Sequence, residues 1–177
     1  MRTPVDAGHL VLLMRHLGAA ARRSGHVYLT GGATAVLEGW RASTIDVDLK
    51  MVPEQDELFR ASPRLKDDLS LNVELQSPAD FIPEVPGWDE RSPLIRTEGL
   101  LTFYHYDFYA QALAKIERGH ATDEQDVEQM IARGLVDPRR LLRFFMAIEP
   151  DLVRYPAVDP PPFRRAVEET VARFGSD

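Results

Sequence analysis

Two aspartates separated by one residue are the most chemically informative feature of the sequence. Asp46 and Asp48 lie in the segment 45–52, where apolar and polar residues alternate. Such alternation predicts a β-strand, on which residues i and i+2 point to the same side. Two like charges held side by side repel each other, and a bound divalent cation such as Mg²⁺ would offset that repulsion. The alternative interpretation is an ordinary strand face in contact with water.

A pair of glycines precedes these aspartates in the chain. Gly31 and Gly32 follow a predicted strand at 26–30 and precede a short predicted helix at 33–38. Glycines let a phosphate approach the backbone closely, and free N–H groups at the start of a helix bind anions. On its own such a pair is more often just a tight turn. Together with the downstream carboxylates, it indicates a site for a nucleoside triphosphate and its metal ion.

The strands needed to position these groups can be read from the same alternation. Further strands are predicted at 71–75, with Glu74 on the polar side as a third carboxylate, and at 100–106. A helix is predicted near the N-terminus, a polar helical connection at 54–68, and a loop at 78–93 because four prolines lie there. Helices account for the remainder. These elements predict an α/β (α+β) fold, with an α/β core at 1–106 and a helical portion at 107–177 packed on it.

Composition excludes several classes of protein. The 177 residues contain 21 Lys and Arg against 28 Asp and Glu, which gives a net charge of −7. That charge argues against a protein whose whole surface binds nucleic acid, although a local basic patch is allowed. With no cysteine there is no disulfide framework, thiolate metal site or cysteine nucleophile. No signal peptide or membrane span is recognisable, so we expect a cytoplasmic protein with no membrane partner.

Residues 28–39 and 44–49, with the carboxylate at Glu74, resemble the polymerase-beta-like nucleotidyltransferase superfamily. In particular the sequence resembles its AbiEii-type branch, many of whose members are toxins of toxin–antitoxin or phage-defence pairs. Lys-x-x-Arg at 115–118 followed by Asp-x-x-Asp at 123–126 is also common there. The resemblance implies a small mixed sheet flanked by helices, with a C-terminal helical portion. Glu74 stands where the superfamily usually has Asp.

The resemblance also implies roles for individual residues. Asp46 and Asp48 would hold Mg²⁺ or Mn²⁺, and Glu74 would complete the metal site or activate the acceptor. The residues implied in binding the NTP substrate are Gly31, Gly32, Thr34, Thr44 and Lys115. The reaction would move an NMP from an NTP to an acceptor, with tRNA, a protein and a small molecule all left open. A cognate antitoxin would be a further partner.

Several alternatives compete with these assignments. Lys115 and Arg118 share a helix face and could instead pair with Asp123 and Asp126 of the next helix. The whole chain could be a catalytically inactive binding module or antitoxin with a nucleotidyltransferase-like fold. A haloacid-dehalogenase-type phosphatase is rejected because Lys50 stands where that class has Thr or Val. An Asp-x-Asp glycosyltransferase is rejected because only 45 residues precede Asp46.

Overall fold

Five strands build a mixed sheet in the order β3 (Asn72–Leu75), β2 (Asp46–Val52), β1 (Gly25–Thr30), β5 (Leu101–His105) and β4 (Leu94–Glu98). The computed structural model describes residues 2–60, 67 and 69–175, which divide into two units. The first unit contains the chain up to Ser77 together with Ser92–Tyr106, and the second contains Pro78–Arg91 and the chain from Asp107 onward. The predicted fold class is confirmed: a mixed sheet flanked by helices, with a C-terminal helical portion.

The first unit holds the sheet and the helices nearest the N-terminus. Strand β1 pairs with β2 antiparallel and with β5 parallel, while β2 pairs with β3 parallel and β4 with β5 antiparallel. In chain order its elements are α1 (Ala7–Ala20), β1 (Gly25–Thr30), α2 (Gly32–Glu38), β2 (Asp46–Val52), α3 (Asp56–Arg60), β3 (Asn72–Leu75), β4 (Leu94–Glu98) and β5 (Leu101–His105).

The two faces of the sheet have different chemistry because side chains alternate along each strand. One face joins α1 and α2 in a hydrophobic core that includes Leu13, Leu29, Leu49 and Phe103, each no more than 1% exposed. The register places polar residues of neighbouring strands beside one another on the opposite face. Burial of the first face fixes the register, since a slip of one residue would move every apolar side chain to the other side.

The second unit is helical. Aromatic and aliphatic side chains, among them Met130, Leu141, Phe145 and Val167, form its interior, and the rings of Phe145 and Phe163 lie 4.9 Å apart. Its elements are a 3₁₀ turn (Pro78–Asp80), α4 (Trp88–Arg91), α5 (Phe108–Arg118), α6 (Ala121–Ala132), α7 (Pro138–Ile148), a 3₁₀ segment (Glu149–Arg154) and α8 (Pro160–Phe174). Within the described residues, no helix has the length and apolar content needed to cross a membrane.

The structure differs from the sequence prediction in two places. The proline-rich segment 78–93 is not only loop, because it contains the 3₁₀ turn and α4. Strand β4 was not predicted; its pairing with β5 contains a register irregularity between Leu94 and Arg96, which breaks the simple alternation. Of the predicted connection at 54–68, α3 is described, whereas residues 61–66 and 68 lie outside the described residues.

A buried histidine ties α2 to the sheet. His105, 5% exposed at the end of β5, lies between two side chains of that helix. Its Nδ1 is 3.1 Å from Thr34 Oγ1 and its Nε2 is 3.1 Å from Glu38 Oε1. Burial lowers the pKa of His105 to about 4, despite the nearby carboxylate, so the ring is neutral at neutral pH. These contacts fix the helix that begins directly after Gly31.

This histidine makes stability depend on pH. Its folded pKa lies below the ordinary value of 6.5, so between these values the unfolded chain binds a proton that the folded chain does not. The stability contributed by the neutral ring is complete above pH 6.5 and is lost as the pH falls toward 4. Between about pH 7.5 and about pH 5, we expect the wild type to lose about 2 kcal/mol more unfolding free energy than His105→Gln. Urea denaturation at both pH values measures this, and equal losses would contradict it.

Candidate functional site

Three carboxylates meet on the polar face of the sheet. Strands β2 and β3 run parallel, with Asp46 opposite Asn72 and Asp48 opposite Glu74. Because Asp46 and Asp48 are i and i+2 on one strand, and Glu74 is the cross-strand neighbour of Asp48, all three side chains leave the same face. The structure thus brings together the three residues that the alternation singled out.

An asparagine links two of these carboxylates. Asn72 Nδ2 donates to Asp46 Oδ1 at 2.7 Å and to Glu74 Oε1 at 2.9 Å. One amide nitrogen therefore bridges carboxylates of two neighbouring strands. No role was predicted for Asn72 from the sequence. Its position two residues before Glu74 was the signal that could have identified it.

An arginine from the N-terminal segment also contacts the cluster. Arg2 Nη1 donates to Asp46 Oδ1 at 3.0 Å and to Oδ2 at 3.3 Å. The segment is held there by Val5, whose backbone exchanges two hydrogen bonds with Thr44 just before β2. No local sequence pattern indicates this contact, because it depends on pairing between residues 39 positions apart.

The donor set consists of oxygens that suit a hard divalent cation. Asp48 takes part in other interactions, but its Oδ1 atom is buried and accepts no hydrogen bond from the described residues. As the side chains lie, the described residues contain no group of three or more His, Cys, Asp or Glu arranged around a common ion position. The oxygens of Asp46 and Glu74 are engaged by Arg2 and Asn72 instead.

The glycine pair lies beside this cluster. Gly31 has φ +63°, a left-handed conformation that other residues rarely adopt, and a Cβ there would lie 3.3 Å from Asp48 Oδ2. A Cβ on Gly32 would collide with Thr44 Oγ1 and lie 3.3 Å from Arg41 Nη1. Thr44 Oγ1 itself donates to the backbone oxygen of Asp46 at 3.2 Å. The turn therefore fits closely between the carboxylates and the segment before β2.

Thr34 lies apart from this polar cluster. Its side chain is fully buried, and its hydroxyl donates to Leu29 O at 3.3 Å as well as contacting His105. These contacts give Thr34 a structural role in attaching α2 to β1, with no surface available to a nucleotide.

Lys115 belongs to the second unit, where it forms an ion-pair network. It is 7% exposed, and its Nζ lies 2.7 Å from Asp126 Oδ2 and 3.5 Å from Asp123 Oδ1. Arg118 Nε donates to Asp123 Oδ2 at 2.8 Å. Burial opposes ionisation of Asp123, but hydrogen bonding to Arg118 and the charges of both cations outweigh it and lower the pKa of this carboxyl. The structure thus contains the alternative pairing between Lys115, Arg118 and the two aspartates.

A match to a protein family agrees with the chemistry of the polar face. A search of curated proteins finds no match. A search of solved structures finds an antigenic nucleotidyltransferase-like protein from Paracoccidioides brasiliensis, which is 14% identical, with a TM-score of 0.48 over 89% of this chain and 96% of that one. Residues 9–155 match the family described as nucleotidyltransferase of unknown function, DUF6036. The chain therefore belongs to this nucleotidyltransferase family, as the resemblance to the superfamily predicted.

Proposed function

We propose that this protein catalyses metal-dependent transfer of an NMP from an NTP to an acceptor hydroxyl. The observation that carries the proposal is the placement of Asp46, Asp48 and Glu74 on one sheet face, beside the turn at Gly31. Clustered carboxylates repel an anionic substrate at the neighbouring glycine turn. Such a substrate can bind there only when a cation neutralises both the carboxylates and the substrate. Membership of a nucleotidyltransferase family supports the same reaction class.

Asp46 and Asp48, with Glu74, are the residues that would hold Mg²⁺ or Mn²⁺. When bound, such an ion would stabilise the negative charge on the phosphoryl group and the departing pyrophosphate. Asp46 must exchange its bonds with Arg2 and Asn72 for this role. Arg2 is well suited to leave, because its side chain is 64% exposed and an exposed ion pair contributes little stability.

The turn at Gly31 and Gly32 is the proposed place for the triphosphate. Without a Cβ atom, Gly31 lets phosphate oxygens approach the backbone N–H groups of the turn, whereas the missing Cβ of Gly32 makes room for Thr44. Arg41, whose Nη1 lies next to Gly32, brings a positive charge to the same turn. Thr44 has a positioning role, since it packs against Gly32 and bonds to the backbone of Asp46.

Glu74 is proposed as the third metal ligand or as the base that accepts the proton of the acceptor hydroxyl. It lies across from Asp48 and shares Asn72 with Asp46. Its side chain is one methylene longer than that of Asp, so it reaches the same region from a strand placed slightly farther back.

We extend the proposal to the AbiEii-type branch: the protein would be the toxin of a toxin–antitoxin or phage-defence pair.

A second candidate function is a binding module that no longer catalyses. It is favoured by the engagement of Asp46 by Arg2 and Asn72, which offsets part of the negative charge of the cluster without an ion. The two candidates differ in whether a divalent ion and an NTP can displace these contacts.

Asp46→Asn should abolish metal-dependent NTP binding, because it removes one of the two adjacent carboxylates. The fold should be as stable as the wild type or more so, since like-charge repulsion decreases. Titration calorimetry with each NTP, with Mg²⁺ and with chelator, measures the binding. The matched control is Asp89→Asn, an exposed aspartate on α4 in the second unit. Wild-type binding that chelator leaves unchanged would contradict the metal site.

Glu74→Gln keeps the shape of the side chain and removes its charge. Transfer from an α-labelled NTP to cell RNA or lysate should fall by at least about 100-fold, as expected for loss of a ligand or general base. Binding of the NTP should weaken far less, and Glu74→Asp should be milder than Glu74→Gln. The exposed Glu84→Gln is the control. If the wild type labels no acceptor and Glu74→Gln binds metal and NTP normally, the binding-module function is the better one.

A further inference from the structure

Helix α7 carries a basic face in an acidic protein. Its eleven residues include Arg139, Arg140 and Arg143 and contain no acidic residue, although the chain as a whole has a net charge of −7. All three arginines are exposed. They fall within about 100° of the helix circumference, opposite the buried Leu141 and Phe145. We refer to these three residues as the arginine face.

Two members of the arginine face differ from most other arginines of the chain. Neither Arg140 nor Arg143 forms an ion pair with a carboxylate among the residues that the structure describes, although acids outnumber bases. Most of the remaining arginines with described contacts have such a partner; they include Arg2, Arg15, Arg23, Arg91, Arg96, Arg118, Arg164 and Arg173. The positive charges of Arg140 and Arg143 are thus available to an external anion.

Aromatic rings brace this surface. The Arg140 guanidinium lies 5.1 Å from the centre of the Tyr109 ring and 5.7 Å from that of Phe144. Arg91 lies 4.1 Å from the same Phe144 ring, and the two rings are 4.8 Å apart. Stacking of this kind reduces the entropy that a long side chain loses on binding, and it places a planar cation beside an aromatic surface.

We propose that the arginine face binds the phosphate backbone of single-stranded RNA, which then serves as the nucleotidyl acceptor. Arginine forks match phosphate geometry, and unpaired bases stack on aromatic rings and guanidinium planes. A partner protein with an acidic surface would pair only with the charges, whereas an unpaired base can also stack on the exposed guanidinium of Arg140, whose other side covers the buried Tyr109 ring. Because the net charge of −7 repels a polyanion at long range, a concentrated basic surface is what allows RNA to bind. Only the acceptor role rests on the proposed function; the binding does not.

Binding can be tested by fluorescence anisotropy with a fluorescein-labelled single-stranded RNA of about 20 nucleotides. At about 50 mM salt, neutralising the face in Arg139→Gln/Arg140→Gln/Arg143→Gln should weaken binding at least about tenfold. The slope of log Kobs against log salt should decrease by about 2, since each lost phosphate contact on a single strand contributes about 0.7. The matched control, Arg22→Gln/Arg60→Gln/Arg154→Gln, removes the same charge from scattered exposed positions and should bind RNA nearly as the wild type does.

Three results would contradict RNA binding by the arginine face. The wild type binds no RNA, the control variant loses as much RNA affinity as the arginine-face variant, or a poly-glutamate peptide of the same charge displaces RNA at equal concentration. Labelling with α-labelled NTP separates this inference from the proposed function. Transfer to a protein or small molecule without RNA binding would overturn the inference and leave the proposed function standing. RNA binding that depends on the arginine face but gives no transfer to any acceptor would retain the surface and overturn the proposed function.

Discussion

Repulsion between carboxylates on one sheet face is the constraint on which the candidate site depends. Asp46, Asp48 and Glu74 are neighbours within and across parallel strands, an arrangement that is unfavourable unless it is neutralised. In the structure, Asn72 donates to two of these carboxylates and Arg2 pairs with one. The folded chain thus satisfies part of the cluster with its own donors, while Asp48 Oδ1 accepts no hydrogen bond from the described residues. In the proposed function, a divalent cation replaces part of that compensation when substrate binds.

The surrounding elements keep this arrangement in place. The apolar face of the sheet, packed on α1 and α2, fixes the register that puts Glu74 beside Asp48. The turn at Gly31 is held by α2, whose attachment to β5 depends on the neutral ring of His105. Thr44 joins the turn to β2. Its backbone also pairs with the N-terminal segment and so attaches that segment to the turn and to β2. Contacts distant from the carboxylates therefore decide how closely the glycine turn approaches them.

Much of the site followed from the sequence because it rests on strand periodicity. Alternation of apolar and polar residues in β2 and β3 was enough to place Asp48 and Glu74 on the polar sides of their strands. It could not show that those two strands are neighbours. Strand β4 escaped prediction because its pairing is irregular after Leu94. The contact of Arg2 with Asp46 depends on tertiary pairing, and local patterns carry no information about it. Lys115 matched a family motif, yet its burial between Asp123 and Asp126 could be seen only in the folded helices.

The position of a bound divalent ion tests the account most directly. Anomalous X-ray scattering from crystals grown with Mn²⁺ and a non-hydrolysable NTP analogue would locate the ion without reference to activity. The account predicts a peak within coordination distance of Asp46 and Asp48, with the triphosphate against the Gly31–Gly32 turn and Arg2 moved away from Asp46. Analogue bound with no Mn²⁺ peak at these carboxylates, or Mn²⁺ located elsewhere while Arg2 still pairs with Asp46, would contradict it.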